Sequence, residues 1–275
     1  MNVLIDKEWL LKNLHDQNVR IVDCSFSLAD PKKGREEYEH NHIPGACYFD
    51  LDKDLSGEVS EHGGRHPLPD LKEFIHKLEL AGIDKNTIVV SYDQGEGAFA
   101  ARFWWLLQYL GHEKVYVLDG GFNGWKEGNF PVTSEVPAYK KTTFQSDINY
   151  SLIASMEEVK AAAEEQKANV VLIDSREEKR YLGIEEPIDK KAGRIPGALN
   201  KPWFEGLNAG YYKPAEIQKQ RFSDIHTDNE IIVYCGSGVT AAPNFIALKA
   251  AGYEKVKLYL GSFSDWISYQ ENKIE

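Results

Sequence analysis

Cysteine is scarce in this chain: its 275 residues include three, Cys24, Cys47 and Cys235. Three thiols make no disulfide framework, and no Cys-x-x-Cys pair offers the spacing of a zinc site. No metal site and no cofactor is expected. Long apolar runs are also missing: none approaches the ~20 residues that a membrane span needs. The opening segment, MNVLIDKEWLLKNL, has neither a basic start nor a small-residue cleavage site, so no signal peptide is expected. Positive charge is in the minority, with 32 Lys and Arg against 43 Asp and Glu and a net charge of -11. That balance argues against a nucleic-acid or anionic-membrane partner. The expectation is a reduced, soluble, cytoplasmic protein.

What the chain does have is a pattern written twice. Ile21-Val22-Asp23-Cys24-Ser25 is matched by Leu172-Ile173-Asp174-Ser175-Arg176, and His42-Ile43-Pro44-Gly45-Ala46 by Arg194-Ile195-Pro196-Gly197-Ala198. Val89–Asp93 is matched by Ile231–Cys235, Leu110–Val115 by Ala251–Val256, and Gly121–Trp125 by Ser262–Trp266. The offsets stay between 141 and 152 over five landmarks, which chance does not produce. Copies of this length are whole domains, not solenoid repeats. Two domains are therefore expected, over 1–135 and 150–275. The polar stretch Ser134–Tyr150, which contains Pro137 and has neither helical nor strand periodicity, reads as the linker.

Within each copy, short apolar runs rich in β-branched residues alternate with helical patterns. In the second copy Met156–Gln166 and Thr240–Ala251 read as helices, and Val170–Asp174, Ile231–Tyr234 and Val256–Leu260 as strands. Unbroken apolar strands alternating with helices define an α/β class, with a small parallel sheet covered by helices on both faces. Ligands of such sheets sit beyond the carboxyl ends of the strands. Cys235 falls there.

Cys235 opens the stretch Cys235-Gly236-Ser237-Gly238-Val239-Thr240, and the first copy has Asp93 where the cysteine stands. Small residues let the loop curl so that its N–H groups face inward. Thr240 is placed to cap the following helix, and Pro243 falls in its first turn. Such a cradle stabilises an anion, and a thiol in it can titrate anywhere from ~3.5 to ~7.5 instead of ~8.5. The plain alternative is an inert buried cysteine. A strand, a thiol, two glycines and a helix together favour a reactive one. Cys24 and Cys47 lie in no comparable loop and read as structural. A cysteine protease needs a partnered His and Asn, which sequence alone leaves open. A phosphatase needs an arginine in the loop, and Val239-Thr240-Ala241-Ala242-Pro243 has none. A small neutral cradle suits a persulfide.

These residues resemble the rhodanese family, in particular its two-domain sulfurtransferases. The likeness is carried by the Cys235–Thr240 loop, the two Ile-Pro-Gly-Ala motifs, Asp174-Ser175-Arg176 and Gly120–Trp125, and it spans nearly the whole chain. It implies two rhodanese-like domains. The second would be catalytic through Cys235 and the first silent, with Asp93. Sulfane sulfur would pass from thiosulfate or 3-mercaptopyruvate through a Cys235 persulfide to cyanide, a thiol or a thioredoxin-like protein. By the same resemblance Arg180 would bind the anionic end of the donor, beside Gly236, Gly238, Val239 and Thr240. Asp52 and His66 would form a proton relay with Ser237. Arg176 reads as a structural tie, and Trp203 and Phe204 as candidates for the cleft wall. The family's mercaptopyruvate members carry a second carboxylate-binding arginine nine residues past the first. Here that place holds Asp189, followed by Lys190 and Lys191, so a lysine must compensate or the donor preference must differ. Two other classes compete with the enzyme: a persulfide carrier in a protein-to-protein relay, and a non-catalytic binding module.

Overall fold

The structure, a computed structural model, describes residues 3–165 and 169–275. The first half contributes β1 (Leu4–Ile5), α1 (Lys7–Lys12), β2 (Val19–Asp23), α2 (Lys33–His40), β3 (Ala46–Tyr48), α3 (Leu71–Leu80), β4 (Ile88–Tyr92), α4 (Ala98–Tyr109), β5 (Val115–Leu118) and α5 (Gly121–Glu127). Its sheet has the order β1-β5-β4-β2-β3, and every pairing is parallel. The second half contributes α6 (Met156–Glu165), β6 (Val170–Asp174), α7 (Glu178–Tyr181), β7 (Leu199–Asn200), the two-residue strands β8 (Leu207–Asn208) and β9 (Tyr211–Tyr212), α8 (Ala215–Arg221), β10 (Glu230–Tyr234), α9 (Ala241–Ala250), β11 (Val256–Leu258) and α10 (Ser262–Trp266). Its parallel sheet runs β11-β10-β6-β7, while β8 and β9 form a small antiparallel hairpin outside it.

The α/β class with two small parallel sheets follows from the apolar runs, because Val, Ile and Leu strands bury both faces only when helices cover them. Helix boundaries shift little from expectation. The helix expected over 240–251 is Ala241–Ala250, and the strand expected over 256–260 ends at Leu258. The Gln166 end of the helix expected over 156–166 lies outside the described residues. The linker has no regular structure before a 3-10 turn at Tyr150–Leu152, yet it is tied to the first half. Tyr139 Oη donates to the Gly45 carbonyl at 2.7 Å, Thr142 Oγ1 to that of Ile83 at 2.6 Å, and Phe144 is buried.

Two helices join the halves. In α4 every residue but Gln108 is buried, and α9 is buried over Ala241–Leu248. Helices apolar on all sides belong inside a protein. Trp104 of α4 and Phe245 of α9 lie 6.0 Å apart between ring centroids, inside a core cluster that draws on both halves. Each such buried aromatic contributes about 1.5–3 kcal/mol. The loop after β10 therefore faces the first half across a packed interface.

Candidate active site

Cys235 follows β10 directly, at the carboxyl end of a strand flanked by β6 and β11. It is 1% exposed. Its Sγ accepts the Gly238 N–H at 3.2 Å, and its own N–H donates to Ser262 Oγ at 3.1 Å. Gly238 needs to be glycine: its φ is +75°, and an added Cβ would lie 2.1 Å from the Leu260 carbonyl oxygen. Two expectations fail in detail. Thr240 makes no side-chain cap bond, because its own backbone is already helical. Of the loop amides only that of Gly238 reaches the sulfur. The Val239 side chain is buried in the core, so Val239 offers the site its backbone alone.

The matching loop in the first half shows what the cradle can hold. There the Asp93 carboxylate, 1% exposed, accepts N–H bonds from Gly95, Gly97, Phe99 and Ala100 at 2.8–3.2 Å. Burial pushes that carboxyl up and the four N–H bonds pull it down, burial being the larger effect. A carboxylate reaches amides that a single sulfur does not. A second sulfur atom attached to Cys235 would extend into the corresponding space.

The first half supplies the cover. Its segment between β3 and α3 lies on the stretch 261–268, with Gly63 N–H on Asp265 Oδ1 at 2.7 Å and Arg65 N–H on Ser264 Oγ at 3.1 Å. A Cβ on Gly64 (φ +80°) would lie 2.3 Å from the Gly261 carbonyl oxygen, so only glycine allows this approach. His66 is thereby brought to Ser237: its Nδ1 and the Ser237 Oγ are 2.7 Å apart. Asp52 is 3.6 Å from the other ring nitrogen, with its side chain 46% exposed. The structure thus joins His66 and Ser237 closely and Asp52 loosely. Burial, then Arg102 and Arg65, lower the His66 pKa to about 3, so the ring is neutral at neutral pH. The Asp52 carboxylate does not offset this, because water screens it.

Arg180 arrives over the loop from α7. Its Nε and Nη2 donate to Glu186, and Nη2 also reaches Asp189 Oδ2 at 2.9 Å. The other Asp189 oxygen pairs with Nη1 of Arg65 from the first half. This arch rests on Gly236, where an added Cβ would meet Arg65 Nη2 at 2.8 Å, Arg180 Nη2 at 3.4 Å and Asp189 Oδ2 at 3.5 Å. Asp189 is therefore not the free repelling carboxylate that its position suggests: it is neutralised by two guanidinium groups, and its side chain is 2% exposed. Lys190 and Lys191 do not replace the missing arginine in this arch. They stand exposed at a cleft of about 300 Å³ on the outer side of Arg65 and Asp189.

Three participants escaped the sequence reading: Arg65, Arg102 and Glu186. Arg65 had a signal, since it immediately precedes His66 after two glycines. Arg102 had one as well, as the only charge in the apolar helix AFAARFWWLLQY. Glu186 had none. Arg176 is the structural tie expected, fully enclosed and bonded to Asp174, Glu186 and the Gly193 carbonyl. Trp203 packs against the core and Phe204 is exposed. Burial pushes the Cys24 thiol well up and that of Cys47 to about 11, as suits structural cysteines. Among the described residues, no three His, Cys, Asp or Glu side chains converge as metal ligands would. No helix among them is long and apolar enough to cross a membrane.

Two fused α/β domains with a thiol in a glycine-rich loop at a strand end define a class of cysteine-dependent transfer proteins. The rhodanese-like domain matches residues 6–128 and again 155–269, and the chain belongs to the rhodanese family. It is 40% identical over 271 residues to a probable 3-mercaptopyruvate sulfurtransferase of Pseudomonas aeruginosa, covering 96% of this chain and 95% of that protein. It is 32% identical over 275 residues to the thiosulfate sulfurtransferase of Mus musculus, covering 96% and 91%. The crystal structure of a 3-mercaptopyruvate sulfotransferase from Escherichia coli superposes with a TM-score of 0.86 at 30% identity, covering 96% of this chain and all of that one.

Proposed function

We propose that this protein is a sulfurtransferase that takes sulfane sulfur from thiosulfate or 3-mercaptopyruvate, holds it as a persulfide on Cys235 and passes it to a thiophilic acceptor. The observation that carries this reading is the contrast between two equivalent loops. One holds a carboxylate on four amides; the other holds a thiol with one amide on its sulfur. Names of relatives on both sides of the donor question support it. The catalytic domain is 150–275, and the first domain, 1–135, is silent at Asp93 but supplies one wall of the cleft.

The Cys235 thiolate attacks the donor sulfur. With thiosulfate the S–S bond breaks and sulfite leaves. With 3-mercaptopyruvate the C–S bond breaks and the carbon keeps the electron pair as the enolate of pyruvate, which takes a proton. His66 and Ser237 provide that proton: the serine hydroxyl gives it to the enolate, His66 Nδ1–H refills the serine, and Nε2 takes up the replacement on the side of Asp52. Cyanide then attacks the outer sulfur, thiocyanate leaves and the thiolate returns. A thiol or a thioredoxin-like protein serves the same role as acceptor. Arg180, with Arg65, binds the donor's anionic end, and the uncharged Gly236-Ser237 pair leaves room for a keto acid. We therefore expect both donors to work, with a lean to 3-mercaptopyruvate. A thiol only 1% exposed favours a small molecule over a partner protein as the sulfur donor.

Intact-mass measurement after exposure to either donor tests the reading. One added sulfur atom is expected, removable by cyanide and absent from Cys235→Ser. Sulfur transfer by the serine variant would overturn it.

A further inference from the structure

Arg102 belongs to the first domain, yet it meets the cysteine loop of the second. The residue is 0% exposed. Its Nη1 donates to the Gly238 carbonyl at 3.0 Å, and its Nη2 to those of Leu55, His66 and Pro67 at 3.0–3.2 Å. No carboxylate is among its partners in the described residues. Burial lowers its pKa to about 9, and the charge of Cys235 acts in the opposite direction. A desolvated cation with no opposite charge is costly, and it persists where an anion forms beside it.

The link to the sulfur is a single peptide-bonded residue. Gly238 accepts from Arg102 with its carbonyl and donates to Cys235 Sγ with its N–H. The duplication supplies an internal control. Gly97 and Gly238 are the left-handed glycines that close the two loops. Counted from them, the place of Arg102 in the second repeat is taken by Pro243, and that of Trp104 by Phe245, which packs against it at a tilt of 57°. The cation is absent from the helix that would face the carboxylate loop and present on the one that faces the thiol. A tie needed only to join the domains would serve on either side.

We propose that Arg102 is the counterion of the Cys235 thiolate, a positioning residue that acts through Gly238 from the opposite domain. This deepens the sulfurtransferase reading by naming a buried positive charge that faces its nucleophile from the first domain, beside that of Arg65, on which the charge of Cys235 also acts. It also explains why the first domain is retained: the isolated second domain would have the thiol without its charge partner.

The test needs no sulfur donor, so it stands or falls apart from the proposed reaction. The thiolate displaces iodide from iodoacetamide, and the rate at Cys235 is read at pH 6.5 by peptide mass spectrometry, which separates it from Cys24 and Cys47. Arg102→Gln keeps hydrogen-bond donors without charge, whereas Arg102→Lys keeps charge without the planar fork. The glutamine variant should react about tenfold more slowly or worse, and the lysine variant within about threefold of the native rate. Anionic iodoacetate should lose more than iodoacetamide in the glutamine variant. An unchanged rate in folded Arg102→Gln would overturn the proposal. So would a tenfold loss in Arg102→Lys, because one ammonium cannot span carbonyls in both domains and a pure clamp would fail there. If the glutamine variant does not fold, the lysine variant decides alone.

Discussion

Asp189 Oδ2 lies 2.9 Å from Nη2 of Arg180, so the acidic residue nine places past that arginine turns back and pairs with it. Arg65, from the other domain, takes its second oxygen. The arch presents one internal carboxylate to two guanidinium groups above the Cys235 loop. If these arginines bind the donor as proposed, its anionic end exchanges with that carboxylate and binds more weakly for it.

Asp189→Asn should therefore lower the Michaelis constant for 3-mercaptopyruvate and thiosulfate by about tenfold, the equivalent of one lost charge-assisted contact of ~1.5 kcal/mol. Steady-state kinetics with cyanide as acceptor measure it. A raised constant for both donors would mean that Asp189 orients the arginines for the donor and does not compete with it. Arg180→Ala should raise the same constants, but the structure removes any expectation that it is silent in stability. It would leave Glu186 with Arg176 alone and Asp189 with Arg65 alone, their side chains 4% and 2% exposed, at a cost of about 1–3 kcal/mol.

The proton requirement separates the two donors. Sulfite leaves as a stable anion, whereas the enolate of pyruvate needs a proton at once. Ser237→Ala removes the hydroxyl 2.7 Å from His66 Nδ1 and should slow kcat for 3-mercaptopyruvate by about 100-fold, the low end of general acid catalysis, while changing thiosulfate turnover by less than about threefold. Equal losses with both donors would assign Ser237 to the loop's shape and remove the relay.

His66 should make the protein acid-sensitive. Its pKa in the folded chain is about 3 against 6.5 in the unfolded one, because burial and two arginines oppose its charge. The unfolded chain binds more protons between those values, so the contribution is present above pH 6.5 and drains away as the pH falls toward 3, by up to about 1.4 kcal/mol per unit. Asp23 acts with the opposite sign over 3.8 to about 6, since burial raises its carboxyl. The variant isolates the histidine: urea denaturation of His66→Asn should show a flatter loss of stability over this window than the native chain. Parallel curves would mean that the ring is not held neutral by its surroundings.

What could be read from the sequence follows the range of the interactions. Strand and helix periodicities are local, and Val170–Asp174 appears as the strand expected. The strand-to-loop step at Cys235 is local too, and so is the Arg176 tie to Asp174, two residues away. The partners of Arg180 lie within nine residues, but nothing in the sequence says that they turn inward. Arg65 and Asp189 are 124 positions apart, and Arg102 and Gly238 are 136 apart; these meet only because α4 and α9 fuse the domains. Thr240 misled for a related reason. A residue type favoured at helix starts caps only when its backbone is extended, and here the loop has already turned helical.

Asp93 offers the cleanest test of the silent first domain. Its carboxylate satisfies four buried N–H groups in place of a sulfur, so it closes its own cradle. Asp93→Ala leaves those donors unpaired and should cost about 2–4 kcal/mol in urea denaturation. The Cys235 loop is built from other strands, so kcat in the folded variant should stay within about twofold of the native value. A large fall in kcat with stability intact would give the first loop a part in turnover, and the two domains could no longer be divided into one that reacts and one that supports.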